Sequence, residues 1–312
     1  MIKDKFFVDE KMHGIRLDVA ITQYLERKYS RNQIKNFILD GCVQVNDENC
    51  KPKDKLVIGD EIEFDFDDHH DSSWMPEKIN FSVKDETNEY IIVEKSPNLI
   101  MHPGAGNEQG TLANGLLFRF PELAKLPRSG IVHRLDKDTS GLVLVAKTNE
   151  FRNHIVSEFQ NRNVKKFYYA LIKGNIIGQT IINEPILRDR RNRLRMTVDR
   201  SGREAISIVK NIETFDSYSL VEVEILTGRT HQIRVHMDFH KTPIVGDKVY
   251  GSRHKLAKNL TKEKIDFIQQ FPRQALHASK LSFAPKNNSE YVSYQSDLPK
   301  DIKDLINVLK KA

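Results

Sequence analysis

The stretch richest in reactive side chains is His133-Arg134-Leu135-Asp136-Lys137-Asp138-Thr139-Ser140. It lies between aliphatic runs at 131–132 and 142–146, with Gly130 and Gly141 as breakers, so both runs are expected to be buried strands. Charged groups held between buried strands are costly unless they are paired. Loops fixed by a rigid sheet are also where binding and catalytic groups collect. A carboxylate in such a loop can act as a nucleophile or as a base. Asp136 together with Asp138 suggests the paired acids of a glycosidase, but two positions in a loop do not fix a separation. The plain alternative is a hydrophilic turn held by Thr139 and Ser140.

Other clusters are weaker. His231, His236 and His240 are five and then four residues apart; on a helix five residues step about 140° past a turn, which does not stack metal ligands. His69-His70 is a possible metal tract, although adjacent rings do not easily face one ion. His102-Pro103-Gly104-Ala105-Gly106 is glycine-rich but is not followed by Gly-Lys-Ser/Thr, so it is not a phosphate-binding P-loop. Cys42 and Cys50 are the only cysteines and match no zinc spacing, which suits a reduced, cytoplasmic protein.

The elements that must position these residues follow from periodicity. Leu17, Ile21, Tyr24 and Leu25 share one face of a first helix. Ser30 and Gln33 form a capping-box signal for a second, which carries Ile34, Phe37 and Ile38 inward and ends at Gly41. Residues 43–46 and 61–64 alternate as strands. Asp60 to Asp71 contains seven carboxylates, so residues 67–79 are expected to be an extended acidic linker between a unit at 1–66 and a larger one at 80–312. In the larger unit 90–95, 165–172 and 219–226 are expected strands, Thr148 and Thr230 cap helices, and residues 301–309 form an amphipathic helix. Seven arginines between 186 and 204 are too dense for a core and point to a mobile RNA-gripping loop.

At 312 residues, 39% apolar and 29% charged, the chain suits a two-domain globular protein. No apolar run approaches a membrane span, and the mixed-charge N-terminus is not a signal peptide. Residues 1–80 hold twelve Lys and Arg against seventeen Asp and Glu, a net −5; the total is +6, so residues 81–312 carry +11. A basic larger domain suits a polyanionic partner.

The His133–Gly141 loop resembles the HRLDxxTSG signature of the RluA-like family of pseudouridine synthases. Lys95–Gly104 resembles the family's first motif, Lys166–Leu171 its tyrosine motif, Leu226–His236 its third motif and Arg273–Ala278 its C-terminal signature. Ser96 stands where the first motif more often runs directly from Lys to Pro. Residues 14–66, with Ser30-Arg31-x-x-Ile34-Lys35 and Val43-x-Val45-Asn46, resemble an S4 RNA-binding domain. The resemblance implies an α+β fold: a catalytic domain with a central, largely antiparallel mixed sheet crossed by a cleft, plus a small α+β S4 domain.

It also implies the site. Asp136 would be the catalytic carboxylate, as nucleophile or base, and Arg234 would orient it and keep it ionised. Tyr168 would stack on the uracil and remove the C5 proton. Leu226 would wall the pocket, and His133 would line it as a hydrogen-bonding scaffold. Arg134 would replace a uridine flipped from its helix. Arg31, Lys35, Arg191 and Arg193 would meet RNA phosphates. No metal or redox cofactor is implied. The implied partner is RNA, through the S4-like domain a large one such as 23S rRNA or the large ribosomal subunit, with the protein a cytoplasmic monomer and no membrane partner. Two alternatives stay open: a non-catalytic RNA-binding or ribosome-assembly factor, against which Asp136, Tyr168 and Arg234 are all present, and a synthase acting on tRNA.

Overall fold

A computed structural model describes residues 2–25, 29, 31–66, 74–104, 106–251, 256–257, 260–286 and 289–311. The chain divides into two compact units, Met1–Asp71 and Ser72–Ala312.

The smaller unit runs β1 (Ile2–Phe7), α1 (Leu17–Tyr24), α2 (Arg31–Leu39), β2 (Val43–Val45), β3 (Glu48–Asn49) and β4 (Glu61–Phe66). Its antiparallel sheet has the order β1-β4-β2-β3. Leu17, Ile21, Ile34 and Ile38 of the helices close on Ile62 and Phe64 of β4, the outcome of helical and two-residue periodicities meeting in one core. Gly41 follows α2 with φ 78°, the left-handed conformation that ends a helix. The Ser30–Gln33 capping signal lies outside the described residues. Lys35 is exposed. Arg31 is not a free cation: its Nε and Nη2 donate to Asp18 at 2.9 and 3.3 Å, beside Arg16, which donates to the same carboxylate twice at 3.1 Å.

The larger unit is built on β5 (Ser82–Glu86), β6 (Tyr90–Lys95), β7 (Ser140–Ala146), β8 (Lys165–Lys173), β9 (Gln179–Asn183), β12 (Ile206–Phe215), β13 (Tyr218–Ile225), β14 (Leu276–Phe283) and β15 (Val292–Gln295). Among the described residues these form a nine-stranded sheet in the order β5-β6-β7-β14-β8-β13-β12-β9, with β15 also on β14. The pairings are antiparallel apart from β7–β14, which are parallel over only His277–Ser140 and Ala278–Gly141. The sheet is therefore mixed and largely antiparallel, and its parallel seam is short and central.

Both faces of the central strands are covered. Ile91, Val93, Val143 and Val145 face a core shared with α3 (Leu112–Arg119) and α7 (Lys300–Lys310). Tyr90, Ile92, Leu142 and Leu144 face a second core under α4 (Asn149–Gln160). Two buried faces explain why these strands are continuously apolar. Thr148 caps α4 by accepting the Phe151 N–H.

Three expectations need correction. Residues 131–132 are not a strand: Ile131 makes one isolated bridge to Val145. Gly141 is no breaker either. It lies within β7 at φ 113°, and a Cβ there would come 2.2 Å from the Ala278 carbonyl oxygen, so only glycine lets β7 and β14 approach. The arginine-rich segment is no open loop. It holds the antiparallel hairpin β10 (Ile186–Arg188) and β11 (Met196–Val198), whose turn Asp189 closes by accepting the Arg191 and Asn192 N–H groups. Arg191 and Arg193 are exposed at its tip. A local carboxylate cap and a partner strand make a hairpin of what composition alone described as a loop.

His69, His70 and the acidic stretch 67–73 lie outside the described residues. From Trp74 the chain belongs to the larger unit. Trp74, Ile79 and Phe81 pack on its core, Asn114 Nδ2 donates to the Met75 carbonyl at 2.7 Å, and the Gly110 N–H donates to Glu77 at 2.6 Å. Among the described residues no helix is long and apolar enough to cross a membrane.

This packing distinguishes two truncations. A fragment beginning at Ser72 is expected to unfold cooperatively, whereas one beginning at Asn80 loses the partly buried indole and three hydrogen bonds, the third from the Glu77 N–H to the Asn114 carbonyl, and should be less stable by roughly 1–3 kcal/mol. Urea titrations of both fragments test this; equal midpoints would show that residues 74–79 contribute nothing to the larger unit.

Candidate active site

The loop 133–139 enters β7 where the sheet is joined by its short parallel seam, and the protein fixes it from several sides. Lys95, with no exposed surface at the end of β6, donates from Nζ to the carbonyls of Ser96, Leu99 and Lys137 at 2.9, 2.8 and 2.8 Å. Burial pushes its ammonium down to about 7 against the opposing pull of Asp138 and Asp136. Arg273 donates to the Asp138 carbonyl at 3.1 Å while its fork is held by Asp301 at 2.7 and 2.9 Å. Gln274 donates to Thr139 Oγ1 at 3.3 Å, and the Thr139 N–H closes the turn on the Asp136 carbonyl at 3.1 Å. Lys137 and Asp138 thus act as scaffolding through their carbonyls. His133 accepts the Leu144 N–H at Nε2 over 2.8 Å, and burial pushes its pKa down to about 3. It is a neutral strut of the loop.

These ties present Asp136 to a cleft of about 690 Å³ lined by Arg134, Tyr168, Leu226, Arg229 and His231, among others. The Asp136 side chain is 17% exposed. Tyr168 comes from β8 and is buried; burial, then the Asp136 charge, push its phenol well above its ordinary range. Leu226 follows β13, and Arg134 stands exposed on the loop.

Arg234 rises from α5 (Gln232–Phe239). Its Nη1 donates to Asp136 Oδ2 at 3.0 Å. Its fork closes on a different carboxylate: Nε and Nη2 donate to Asp247 at 2.7 and 3.0 Å. Asp247 is fully buried and also accepts the N–H groups of Val249 and Tyr250 at 2.9 and 3.0 Å. Burial would raise the Asp247 carboxyl, but the Arg234 fork and these N–H bonds outweigh it and hold it below the usual carboxylate range. Burial likewise works against the Arg234 charge, and Asp247 with Asp136 more than restores it.

The entry to α5 differs from expectation. Thr230 is not the cap; His231 is, with φ 58° and ψ 18° and no side-chain cap bond. The turn is closed by the Gln232 side chain, which accepts from Thr227 Oγ1 and the Arg229 N–H at 2.7 and 3.0 Å. His236 is bonded to Ser207 and the Glu184 carbonyl at 2.9 and 3.0 Å, away from any shared centre with His231. Arg229 lines the cleft with its Nε on the Glu204 carbonyl at 2.8 Å.

A carboxylate held by arginine thus shares the cleft with a buried tyrosine, and comparison with known proteins decides the family. Residues 89–239 match the RNA pseudouridylate synthase family and residues 15–62 the S4 domain. The chain is 39% identical over 304 residues to ribosomal large subunit pseudouridine synthase D of Yersinia pestis, covering 97% of this chain and 93% of that one. The chain belongs to the RluA-type RNA pseudouridylate synthases. The enzyme of the same name from Neisseria meningitidis serogroup A is 40% identical over 96% of this synthase and 80% of the relative; that of Escherichia coli K12 is 37% identical over 97% and 93%. Two solved human structures share the synthase fold: RNA pseudouridylate synthase domain containing 4 (TM-score 0.59, 21% identity, 73% of this chain and 93% of that one) and domain containing 1 (TM-score 0.55, 23% identity, 76% and 97%).

Sequence reasoning did not find Asp247. The available signal was an acid directly after the apolar run Ile244-Val245-Gly246, which demands a buried cation. Asp247→Asn keeps the shape but leaves Arg234 with Asp136 alone, and should lower stability by on the order of 3 kcal/mol at pH 7. The sign with pH follows from the depressed folded pKa. The stability Asp247 contributes is present above its unfolded value of about 3.9 and is lost as pH falls through the lower folded value. The gap between wild-type and Asp247→Asn stabilities should therefore narrow progressively as pH falls below about 4, in urea midpoints measured from pH 7 to pH 2. A gap that is constant with pH would remove the ionised pair from the account.

Proposed function

We propose that this synthase isomerises uridine to pseudouridine in large-subunit (23S) ribosomal RNA, with Asp136 as the carboxylate that acts at the sugar. The observation that carries this is Asp136 on the cleft wall, with one oxygen fixed by Arg234 at 3.0 Å and the side chain still 17% exposed. The RNA target is supported by relatives named as large-subunit synthases along almost the whole chain, S4 domain included. A second RNA grip is most useful on a large structured RNA, which favours rRNA over tRNA. Such an enzyme works in the cytoplasm, where its rRNA is.

The chemistry breaks C1′–N1, turns the uracil and joins C1′ to C5. C5 gives up a proton and N1 gains one, so composition and oxidation state are unchanged. A uridine stacked in a stem cannot reach the cleft and must flip out, at a cost of roughly a few kcal/mol. Arg134, exposed on the loop, fills the vacated position. Tyr168 and Leu226 hold the detached base between them. The raised phenol of Tyr168 stays protonated at neutral pH, so we assign it stacking and not C5 proton removal by a phenolate. Arg191, Arg193, Arg31 and Lys35 face phosphates from the two units. His133 supports the loop and holds no proton of the reaction.

Asp136→Asn should reduce pseudouridine formation by roughly 10³-fold or more while RNA affinity stays within about threefold, because phosphate contacts dominate binding. Single-turnover assays on a 23S rRNA transcript, paired with filter binding, measure both. Product formed at near the wild-type rate would end this assignment.

A further inference from the structure

Tyr250 has no part in the reaction just described, yet it is bound to three of its elements. The side chain is 2% exposed. Its hydroxyl oxygen lies 2.8 Å from the Met196 backbone nitrogen, at the start of β11 in the arginine hairpin, and 2.8 Å from His231 Nδ1. Arg195 and Arg234 both stand over its ring, with Cζ 5.0 and 5.1 Å from the centroid. His231 Nε2 in turn lies 4.0 Å from Asp136 Oδ2.

The hydrogen-bond inventory fixes the protons. A backbone N–H can only donate, so the phenol oxygen accepts from Met196. Its own proton then needs an acceptor, and among the described contacts that acceptor is His231 Nδ1. A buried hydroxyl proton with no acceptor would cost about 1–3 kcal/mol. With Nδ1 accepting, a neutral imidazole carries its proton on Nε2, the nitrogen facing Asp136. The backbone supports a purpose for this ring. His231 is held at φ 58°, a left-handed conformation that costs a non-glycine residue about 1–2 kcal/mol.

We propose that Tyr250 is a positioning residue that locks His231 as its Nε2–H tautomer toward Asp136 and ties that lock to the arginine-bearing hairpin. This rests on the reading of Asp136 as the reacting carboxylate. His231 and Arg234 then both address Oδ2, which leaves Oδ1, with no hydrogen bond among the described residues, for the sugar. A closure of about 1 Å turns the 4.0 Å approach into a hydrogen bond of ordinary length. The groups facing His231 are Asp136 and Asp247, which favour its protonation, and Arg134 and Arg234, which oppose it together with burial. Removing the Tyr250 hydroxyl frees Nδ1 to take a proton. The resulting imidazolium would draw the Asp136 charge away from the substrate.

The test uses the full-length protein. Nitrogen-15 NMR of the histidine side chains, with His231 assigned by its loss in His231→Asn, should show the neutral Nε2–H tautomer at pH 7. Tyr250→Phe, which keeps the ring, should lower the single-turnover rate of tritium release from C5-labelled 23S rRNA transcript by about tenfold with affinity within about threefold. It should also add an inflection on the acidic limb, below the ordinary imidazole range because burial and the neighbouring arginines hold His231 down, that disappears in the Tyr250→Phe/His231→Asn double variant. A merely structural tyrosine would not produce that inflection. The proposal is overturned if wild-type His231 is protonated or carries its proton on Nδ1, or if Tyr250→Phe leaves rate and pH profile unchanged. Absence of tritium release by the wild-type protein would instead sink the assigned RNA target, since the NMR measurement needs no RNA.

Discussion

The larger unit depends on one buried cation shared unequally by two acids. Arg234, 7% exposed, gives its fork to Asp247 and a single hydrogen bond to Asp136. Asp247 is fully buried and has four N–H donors, two from the guanidinium and two from the backbone. It is the satisfied partner, and burying it is tolerable for that reason. Asp136 receives less and stays partly open to the cleft. A carboxylate saturated by a bidentate arginine would be well oriented but a poor nucleophile or base, since each hydrogen bond to the charged form lowers its basicity. On the proposed reading of Asp136 as the reacting carboxylate, giving the fork to Asp247 holds Arg234 in place without saturating Asp136.

That asymmetry is only useful if the loop carrying Asp136 cannot drift. Its position is set by backbone atoms more than by its own side chains. Lys95 and Arg273 approach from opposite ends of the motif order, yet they grip the adjacent carbonyls of Lys137 and Asp138. The close parallel seam beneath is possible because Gly141 has no Cβ to meet Ala278, and Gly130 is similarly needed, since a Cβ there would lie 2.0 Å from the Ala146 carbonyl oxygen. Two glycines and two buried cations thus turn a polar loop into a rigid support. An error of about 1 Å at a reacting group is enough to matter for rate.

The architecture was legible wherever periodicity and length agreed. Residues 90–95, the strands near 165–172 and 219–226, the Thr148 cap and the apolar face of the last helix all follow from local pattern, and the structure has them. The errors share a cause, which is that tertiary contact decided them. Ile131-Val132 is as aliphatic as a strand, but the left-handed Arg128, Ser129 and Gly130 leave it one bridge. Thr230 is a good cap by type, but Gln232 already satisfies the turn. At the site, Asp136, Arg234 and Tyr168 could be named because short motifs carry them. Asp247 and Tyr250 could not be placed, since nothing in a linear spacing of thirteen or sixteen residues from Arg234 says that they return to it.

The smaller unit uses the same chemical pair with the opposite balance. Asp18 is 3% exposed and lies between Arg16 and Arg31, whose side chains are 45% and 54% exposed. Burial works against its ionisation, and the two guanidinium groups outweigh that and hold its carboxyl low. Two cations on one acid leave a positive cluster at the surface; one cation between two acids leaves Asp136 with a single arginine hydrogen bond, the one acid among the described residues in a cleft lined by Arg134, Lys166 and Arg229. Arg31 therefore does not need to be unpaired to serve RNA. Asp18 fixes the orientation of both arginines and reduces the side-chain entropy lost when a phosphate arrives, and the remaining positive charge faces solvent. On the proposed reading, the outward positive charge of the smaller unit attracts the polyanion, and Asp136 in the larger unit supplies the reacting carboxylate. On that reading, the ratio of arginine to aspartate, and the depth at which it is set, separates binding from chemistry in the two units.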